Sequence, residues 1–358
     1  MTAIKTVFFG STTDSVLVLS QLFSIQHSAF SINLTAVVTQ PPRPIGRKHV
    51  LTPTPVELWS KDHNLTSLTF PSNPDHPNLY NDETQVIDTL AALKADLLIS
   101  ACYGQKIPWE YIQTIQHGGL NVHPSVLPRW RGADPVPWAI LTGDHQTGVT
   151  LVTLSKEFDQ GAIIAQKKVP ITDNDTSDDL RTKLFSLGAK LLIENLSEYL
   201  KNPQRYVSSP SQQHDRGQAS IVASYPYARR LSREDGFLPW ELIKASMENL
   251  PSSTIKQFNN ITIVKDYMKY QKKWNQEKSM GIIIERFHRA LSPWPGLWTT
   301  VQLKSQNSKF KTEKKRLKIL SCHLTLDALR LVLDSVQLEG KTPVPFSQFS
   351  SAYHLSDW

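Results

Sequence analysis

The sequence predicts an α/β protein: a Rossmann-like, mostly parallel sheet over residues 1–200, followed by a smaller C-terminal β-barrel of OB-like type. Three observations lead there. Short apolar runs alternate with helical patterns through the first 200 residues, as strands covered by helices on both faces require. After a polar stretch at 201–223, short strand-like runs separated by turn residues suggest a small antiparallel barrel. The charge divides at the same place. Residues 1–200 carry 15 Lys and Arg against 19 Asp and Glu, a net of −4, and residues 201–358 carry 24 against 13, a net of +11.

Taken in order, Thr6-Val-Phe-Phe9 is the first strand, closed by Gly10, and a helix follows from about Asp14 to Phe23. Leu34-Thr-Ala-Val-Val38 is the second strand, leading into a Pro-rich loop and a helix from about Pro55 to His63. A helix at about Asp82 to Leu93 precedes the apolar strand Asp96-Leu-Leu-Ile-Ser100. Gly119-Leu-Asn-Val122, Val149-Thr-Leu-Val-Thr153 and Ala162-Ile-Ile-Ala165 complete the strand set. The helix Ser177 to Leu200 places Leu180, Leu184, Leu187, Leu191 and Leu192 at helical spacing. Ligands of such sheets bind at the carboxyl ends of the strands.

Residues 201–223 lack periodicity and read as a linker. Beyond it, in a domain spanning 224–358, Gly281-Ile-Ile-Ile284, Trp298-Thr-Thr-Val301, Leu317-Lys-Ile-Leu320 and Leu329-Arg-Leu-Val-Leu333 read as strands. Residues of about 247–279, rich in Lys, Gln and Asn, read as an insertion that partly folds as a helix. The basic runs Lys269 to Lys278, interleaved with Tyr270 and Trp274, and Lys309 to Lys318 attract a polyanion, most simply nucleic acid.

Composition excludes several classes. Hydrophobic residues make up 40% and charged residues 20%, and no run approaches the roughly 20 apolar residues of a membrane span. Met1 to Lys5 run straight into a strand without a signal core or an Arg-rich presequence, so a cytoplasmic protein is expected. Cys102 and Cys322 alone cannot form a disulfide framework or a cysteine-based zinc site. No G-x-G-x-x-G follows the first strand, which argues against a nicotinamide-dependent dehydrogenase.

The chemistry concentrates at Asn121-Val122-His123, a strand end stopped by Pro124. Residues two apart on a strand share a face, so an amide and an imidazole project together. An amide donor stabilises a developing oxyanion while an imidazole manages the attacking group's proton, which suits acyl-type transfer. A carboxylate from the polar loop Leu154 to Gly161 would hold that imidazole in one tautomer. Asp159 and Glu157 both qualify, and spacing does not choose between them.

Asn121-Val-His-Pro-Ser-Val-Leu-Pro-Arg-Trp-Arg-Gly132, with Gly148-Val-Thr150 and Asp159-Gln-Gly161, resembles the folate-dependent formyltransferase superfamily across nearly all of the first domain. The resemblance implies Asn121, His123 and Asp159 as the catalytic set. It also implies a folate pocket formed by Ser125, Val126, Leu127 and Pro128 together with the loop Tyr103 to Pro108, including Tyr103 and Ile107. The donor would be 10-formyltetrahydrofolate, consumed as a cosubstrate, with no metal. The second domain argues against the single-domain glycinamide ribonucleotide formyltransferases, and the chain length against the longer fusion enzymes. Thr39-Gln-Pro-Pro-Arg-Pro-Ile-Gly-Arg47 is similar to the loop that methionyl-tRNA formyltransferases insert after the second strand. By that likeness Arg47, and more loosely Arg43 and Lys48, inherit contact with the acceptor end of initiator Met-tRNA. Read without the likeness, the loop is a Pro-stiffened arm with three cations, suited to phosphates.

Ala290-Leu-Ser-Pro-Trp-Pro-Gly296, Arg230-Leu-Ser-Arg233, Asp235 and Trp240 resemble the family's second domain more faintly. Asp134 stands where a small residue is usual and Pro137 where Gln is common, so both bear on substrate fit. The resemblance implies formyl transfer to methionine on initiator tRNA by a monomer. Its rivals are a formyltransferase or formyl-folate hydrolase with a small-molecule acceptor, and a non-catalytic RNA-binding protein on the same scaffold.

Overall fold

Strands that alternate large apolar residues on both faces need cover on both sides, and that requirement organises the first half of the chain. The computed structural model describes residues 3–26, 32–46, 48–203, 225–248, 250–274, 279–304 and 312–353. The chain divides into two compact units. One comprises residues 1–135, 147–170 and 181–228; the other comprises 136–146, 171–180 and 229–358. The stretch read as a linker lies outside the described residues from 204 onward.

In the first unit β1 (Ile4–Phe9), β2 (Ile32–Thr39), β5 (Thr66–Thr69), β6 (Leu97–Ser100), β7 (Gly119–His123), β9 (Gln146–Thr153) and β10 (Ile163–Pro170) form one sheet. Their order is β10-β9-β7-β6-β1-β2-β5. The β5, β2, β1, β6 and β7 pairs are parallel, and β7 meets β9 antiparallel. Phe8, Val37, Ile99, Leu120 and Leu151 point into one core, shared with α1 (Thr13–Ser24) and α6 (Ser177–Lys201). Val7, Phe9, Ala36, Val38 and Leu98 point into the other, beside α3 (Glu83–Ala91) and α4 (Trp109–Ile112). Each such side chain withdrawn from water contributes about 1.5–3 kcal/mol.

Leu191 and Leu192 of α6 lie in the first core, Leu187 packs against it and Leu184 is buried, as their spacing predicts. Gly188 lets α6 lie close to β7, since a Cβ there would sit 2.4 Å from Val122 Cγ1. The strand that carries Asn121 and His123 is thereby pinned from behind. The Pro-rich loop is not irregular throughout: β3 (Arg43–Ile45) and β4 (Val50–Thr52) pair antiparallel as a hairpin. Gly46, at φ +72°, adopts the left-handed turn there. The short parallel edge strand β5 was not foreseen, because Thr66-Ser-Leu-Thr69 carries a single large apolar residue.

The second unit contains a four-stranded antiparallel sheet of β12 (Leu297–Lys304), β13 (Thr312–Leu324), β14 (Leu331–Leu338) and β15 (Val344–Pro345). Val301, Leu303, Leu317, Val336 and Leu338 meet Phe349 of α10 (Phe346–Tyr353) in its core. One expected strand is corrected: Gly281-Ile-Ile-Ile284 lies inside helix α9 (Met280–Leu291). Four apolar residues in a row suit either element. Met280, Ile283, Ile284, Phe287, Ala290 and Leu291, all buried, follow the helical period and decide it. Between 247 and 279, a 3₁₀ helix (Ser252–Phe258) and α8 (Thr262–Trp274) form. Ile263, Val264, Tyr267 and Tyr270 of α8 are buried, so this stretch is a packed part of its unit.

No helix among the described residues is long and apolar enough to cross a membrane.

Candidate active site

Parallel strands deliver their carboxyl ends to one edge, and β7 outruns its neighbour there. Ser100, the last residue of β6, is level with Asn121, so His123 projects two residues further, paired with Thr150 of β9. The loop joining β9 to β10 supplies the carboxylate. Asp159 Oδ1 accepts a hydrogen bond from Asn121 Nδ2 at 3.1 Å and lies 3.4 Å from His123 Nδ1. The three residues named from sequence come together, with the Asp159 side chain 10% exposed and His123 buried at 4%.

Glu157 does not compete for that place. Its side chain is 62% exposed and faces Lys106, whose Nζ is 4.0 Å away. Local backbone explains the difference. Asp159 sits at φ +57°, a left-handed conformation that Asp tolerates better than most residues. Two residues on, Gly161 lies against β9 so closely that a Cβ would be 1.9 Å from the Thr153 carbonyl oxygen. Thr153 Oγ1 also accepts the Ala162 N–H at 2.8 Å. The Asp-Gln-Gly spacing is thus a turn and a close approach that aim one carboxylate at the strand end.

His123 Nε2 lies 3.2 Å from the Trp130 carbonyl oxygen. A carbonyl only accepts, so Nε2 carries a proton and Nδ1 is the nitrogen left facing Asp159. Asn121 spends one of its two amide N–H groups on Asp159.

The segment after His123 is built around Thr150. Its hydroxyl donates to the Ser125 carbonyl at 2.7 Å and accepts from Leu127 N at 3.1 Å and from Gln166 Nε2 at 2.9 Å. Gln166 Nε2 also reaches the Leu127 carbonyl at 2.9 Å, and Ser125 Oγ donates to the Arg129 carbonyl at 2.8 Å. Leu127 is buried, whereas Val126 and Pro128 are half-buried. Gly148 leaves room for this segment, because a Cβ there would be 2.7 Å from Val126 Cγ2.

Tyr103 and Ile107 belong to the second core of the sheet. The Tyr103 hydroxyl accepts from Tyr80 at 2.9 Å and its ring meets Phe9 edge-on at 5.3 Å, so it offers a wall rather than a free polar group. Burial pushes its phenol well above the usual range. Between them lies Gln105, buried, whose Nε2 reaches Ser72 Oγ at 3.2 Å while its Oε1 has no hydrogen-bond partner. A buried acceptor without a partner on this loop suits the N–H groups of a bound ligand. Burial, with the Asp14 carboxylate nearby, pushes the half-buried Cys102 thiol up to about 12, so it is not a thiolate at neutral pH.

Two further sets were not singled out from sequence. Ser11 Oγ donates to the Tyr103 carbonyl at 3.0 Å and accepts Gln40 N at 3.1 Å, while Ser15 Oγ donates to the Ala101 carbonyl at 2.7 Å. They tie the loop after β1 to the loop after β6. Arg181 of α6 pairs with the buried Asp14 of α1. Three hydroxyl residues directly after Gly10 were the available signal for the first set; nothing local marks Arg181.

Arg43 and Lys48 lie exposed on the β3–β4 hairpin, beside exposed Ile45, Val50 and Leu51. Arg47 lies outside the described residues. In the second unit Arg316 stacks over Trp298 at 4.6 Å, and the pairing sets Lys318 opposite Trp298, Arg316 opposite Thr300 and Lys314 opposite Gln302. Phe237 lies 4.8 Å from the same indole.

Comparison with known proteins identifies the family. Residues 4–196 match the formyl transferase family model. A methionyl-tRNA formyltransferase of Listeria monocytogenes serotype 4a (strain HCC23) is 34% identical over 304 residues, covering 84% of this chain and 76% of that protein. One from Listeria innocua is 31% identical, covering 97% of this chain and 95% of that protein. Among solved structures, a 4-N formyltransferase from Francisella tularensis matches 83% of this chain and 92% of its own, with a TM-score of 0.51 at 15% identity, a likeness of fold.

Proposed function

Because this chain belongs to the formyl transferase family, in the branch of the methionyl-tRNA formyltransferases, we propose that it formylates the amino group of methionine on initiator tRNA, with 10-formyltetrahydrofolate as donor. The observation that carries the reading is the single carboxylate oxygen of Asp159 shared by Asn121 and His123. The donor supplies the formyl carbon; the residues do the rest.

The remaining N–H of Asn121 donates to the formyl oxygen as it gains negative charge. His123 holds its second proton at Nδ1 against Asp159, and the resulting imidazolium adds to the positive field at that oxygen. Asp159, fixed by the Asn121 amide, sets where that proton rests. As the amine nitrogen bonds to the formyl carbon, the bond from that carbon to the donor nitrogen breaks, and the proton the amine loses passes to that nitrogen, releasing tetrahydrofolate. Ser125 to Pro128, braced by Thr150 and Gln166, and the loop Tyr103 to Pro108 form the donor's surroundings. Arg43, Arg47 and Lys48 on the insert loop contact the acceptor end, and the basic strand β13 binds tRNA phosphates. The catalytic part is residues 1–200, and 224–358 is the tRNA-binding part.

The test is incubation with 10-formyltetrahydrofolate and Met-tRNA, counting formyl-Met-tRNA. Formylation of charged tRNA with no turnover on free amino sugars or on water is expected. Turnover on a small-molecule amine but not on Met-tRNA would replace the acceptor.

A further inference from the structure

Residues 1–200 carry a net charge of −4, yet the last phosphate of the acceptor has to come up to the residues that do the chemistry. A fixed cation at the strand edge offsets such a background, and the mechanism leaves one unused. Arg181, in the second turn of α6, donates through Nη2 to Asp14 Oδ2 in the first turn of α1. The two partners differ in exposure. The Asp14 side chain is 7% exposed and that of Arg181 39%, so the carboxylate is enclosed while the guanidinium reaches water. An enclosed carboxylate needs its cation, which holds the guanidinium in place. Among the described residues Arg181 has no other hydrogen-bond partner, so the rest of its planar fork is open to an anion.

Hydrogen bonds place this pair beside the catalytic residues. Ser15 Oγ donates to the Ala101 carbonyl at 2.7 Å and Ser11 Oγ to the Tyr103 carbonyl at 3.0 Å, so the start of α1 is stitched to the loop on both sides of Cys102. Ser100, where that loop begins, is level with Asn121. The loop divides there between the two faces of the sheet. Cys102 packs against the first core, the side of α1 and α6, whereas Tyr103 lies in the second core. The donor's proposed surroundings are thus on one face and Arg181 on the other, the side from which an amine can come to a formyl group already held. The half-buried Asp134 adds a second carboxylate field to the same guanidinium.

We infer that Arg181 is an acceptor-binding residue whose guanidinium takes the phosphate of the nucleotide bearing the methionine, with Asp14 as its anchor. The inference rests on the proposed acceptor. Asp134 competes with that phosphate for the cation.

Binding of initiator tRNA across a salt series tests this. The double variant Asp14→Asn with Arg181→Met strands no charge. It is expected to raise Kd about tenfold, the scale of a charge-assisted contact, and to lower the log–log salt slope by about 0.7, one single-strand phosphate. KM for 10-formyltetrahydrofolate within about twofold of the parent shows that this variant is folded. Asp134→Ala, which leaves the Arg181–Asp14 pair intact, is expected to lower Kd for tRNA about twofold. An unchanged slope in the double variant, or weaker binding in Asp134→Ala, overturns the assignment and leaves the pair a staple between two helices. Absence of formyl transfer to Met-tRNA by the unaltered chain would instead overturn the proposed function.

Discussion

At the scale of single residues, the proposed chemistry depends on one oxygen, Asp159 Oδ1, satisfying an amide and facing an imidazole. Asp159→Asn removes the charge that holds the Nδ1 proton and sets two amides against each other. Turnover is expected to fall by about 10² or more, measured by single-turnover formylation. His123→Ala and Asn121→Ala are expected to lose a similar factor with circular dichroism unchanged, because both side chains end at the strand edge. Glu157→Gln should leave kcat within about twofold, since that carboxylate faces Lys106 and water. The opposite ranking of the two carboxylate variants would reject the assignment. The choice between them was not legible in the sequence: two residues of loop separate them, and only the turn at Asp159 and the contact at Gly161 direct one inward.

At the scale of elements, close approaches carry the predictions. Gly161→Ala puts a methyl 1.9 Å from the Thr153 carbonyl oxygen, so the loop must lift. The variant is expected to stay folded, because the loop is at the surface, but to lose activity toward the level of Asp159→Asn in the same assay. Parental activity would show that the loop tolerates displacement. In the second unit, Arg229 joins elements far apart in sequence. It donates to Asp235 with two nitrogens, at 2.8 and 2.6 Å, and to Asp266 of α8 at 2.7 Å. Burial would raise the Asp235 carboxyl, but hydrogen bonds from Arg229 and Ser232 outweigh it and hold the group below its usual range. Arg229→Ala strands a carboxylate that is 3% exposed and should cost about 3 kcal/mol in urea unfolding. A depressed folded-state pKa stabilises fully above the unfolded value of about 3.9 and stops doing so as pH falls through the folded value. The parent is thus expected to lose stability below about pH 4, and Arg229→Ala to lose less over that interval; parallel acid curves would contradict the linkage. The stretch 247–279, expected to fold partly as a helix, does so in α8, whose few apolar residues are spaced to bury.

At the scale of the whole molecule, charge separation is the governing property. A net of −4 in residues 1–200 against +11 in residues 201–358 is the reason the proposed polyanion binding falls to the C-terminal half and the insert loop. Along β13, Lys314, Arg316 and Lys318 pair across to Gln302, Thr300 and Trp298, so one strand carries a row of cations beside an aromatic ring. Affinity for tRNA is expected to fall with salt at a log–log slope of about −0.7 to −0.9 per neutralised phosphate. Reversing Lys314, Arg316 and Lys318 to Glu should flatten that slope and weaken tRNA binding while leaving donor binding unchanged. A salt-independent affinity in the unaltered chain would remove β13 from the interface.

The sequence by itself determined the alternation of the first half, the charge division and the pair Asn121 and His123. The first and last follow from local rules: buried strands are apolar, and a strand puts alternate residues on one face. The motif glycines were visible as well, although their reason was not. Tertiary structure decided which carboxylate serves His123, that Gly281 to Ile284 is helix, that the Pro-rich loop is a hairpin, and that Lys106 faces Glu157. Those outcomes depend on segments that meet across tens of residues. Where a short run satisfies two local conformations equally, burial against a distant partner is what selects one.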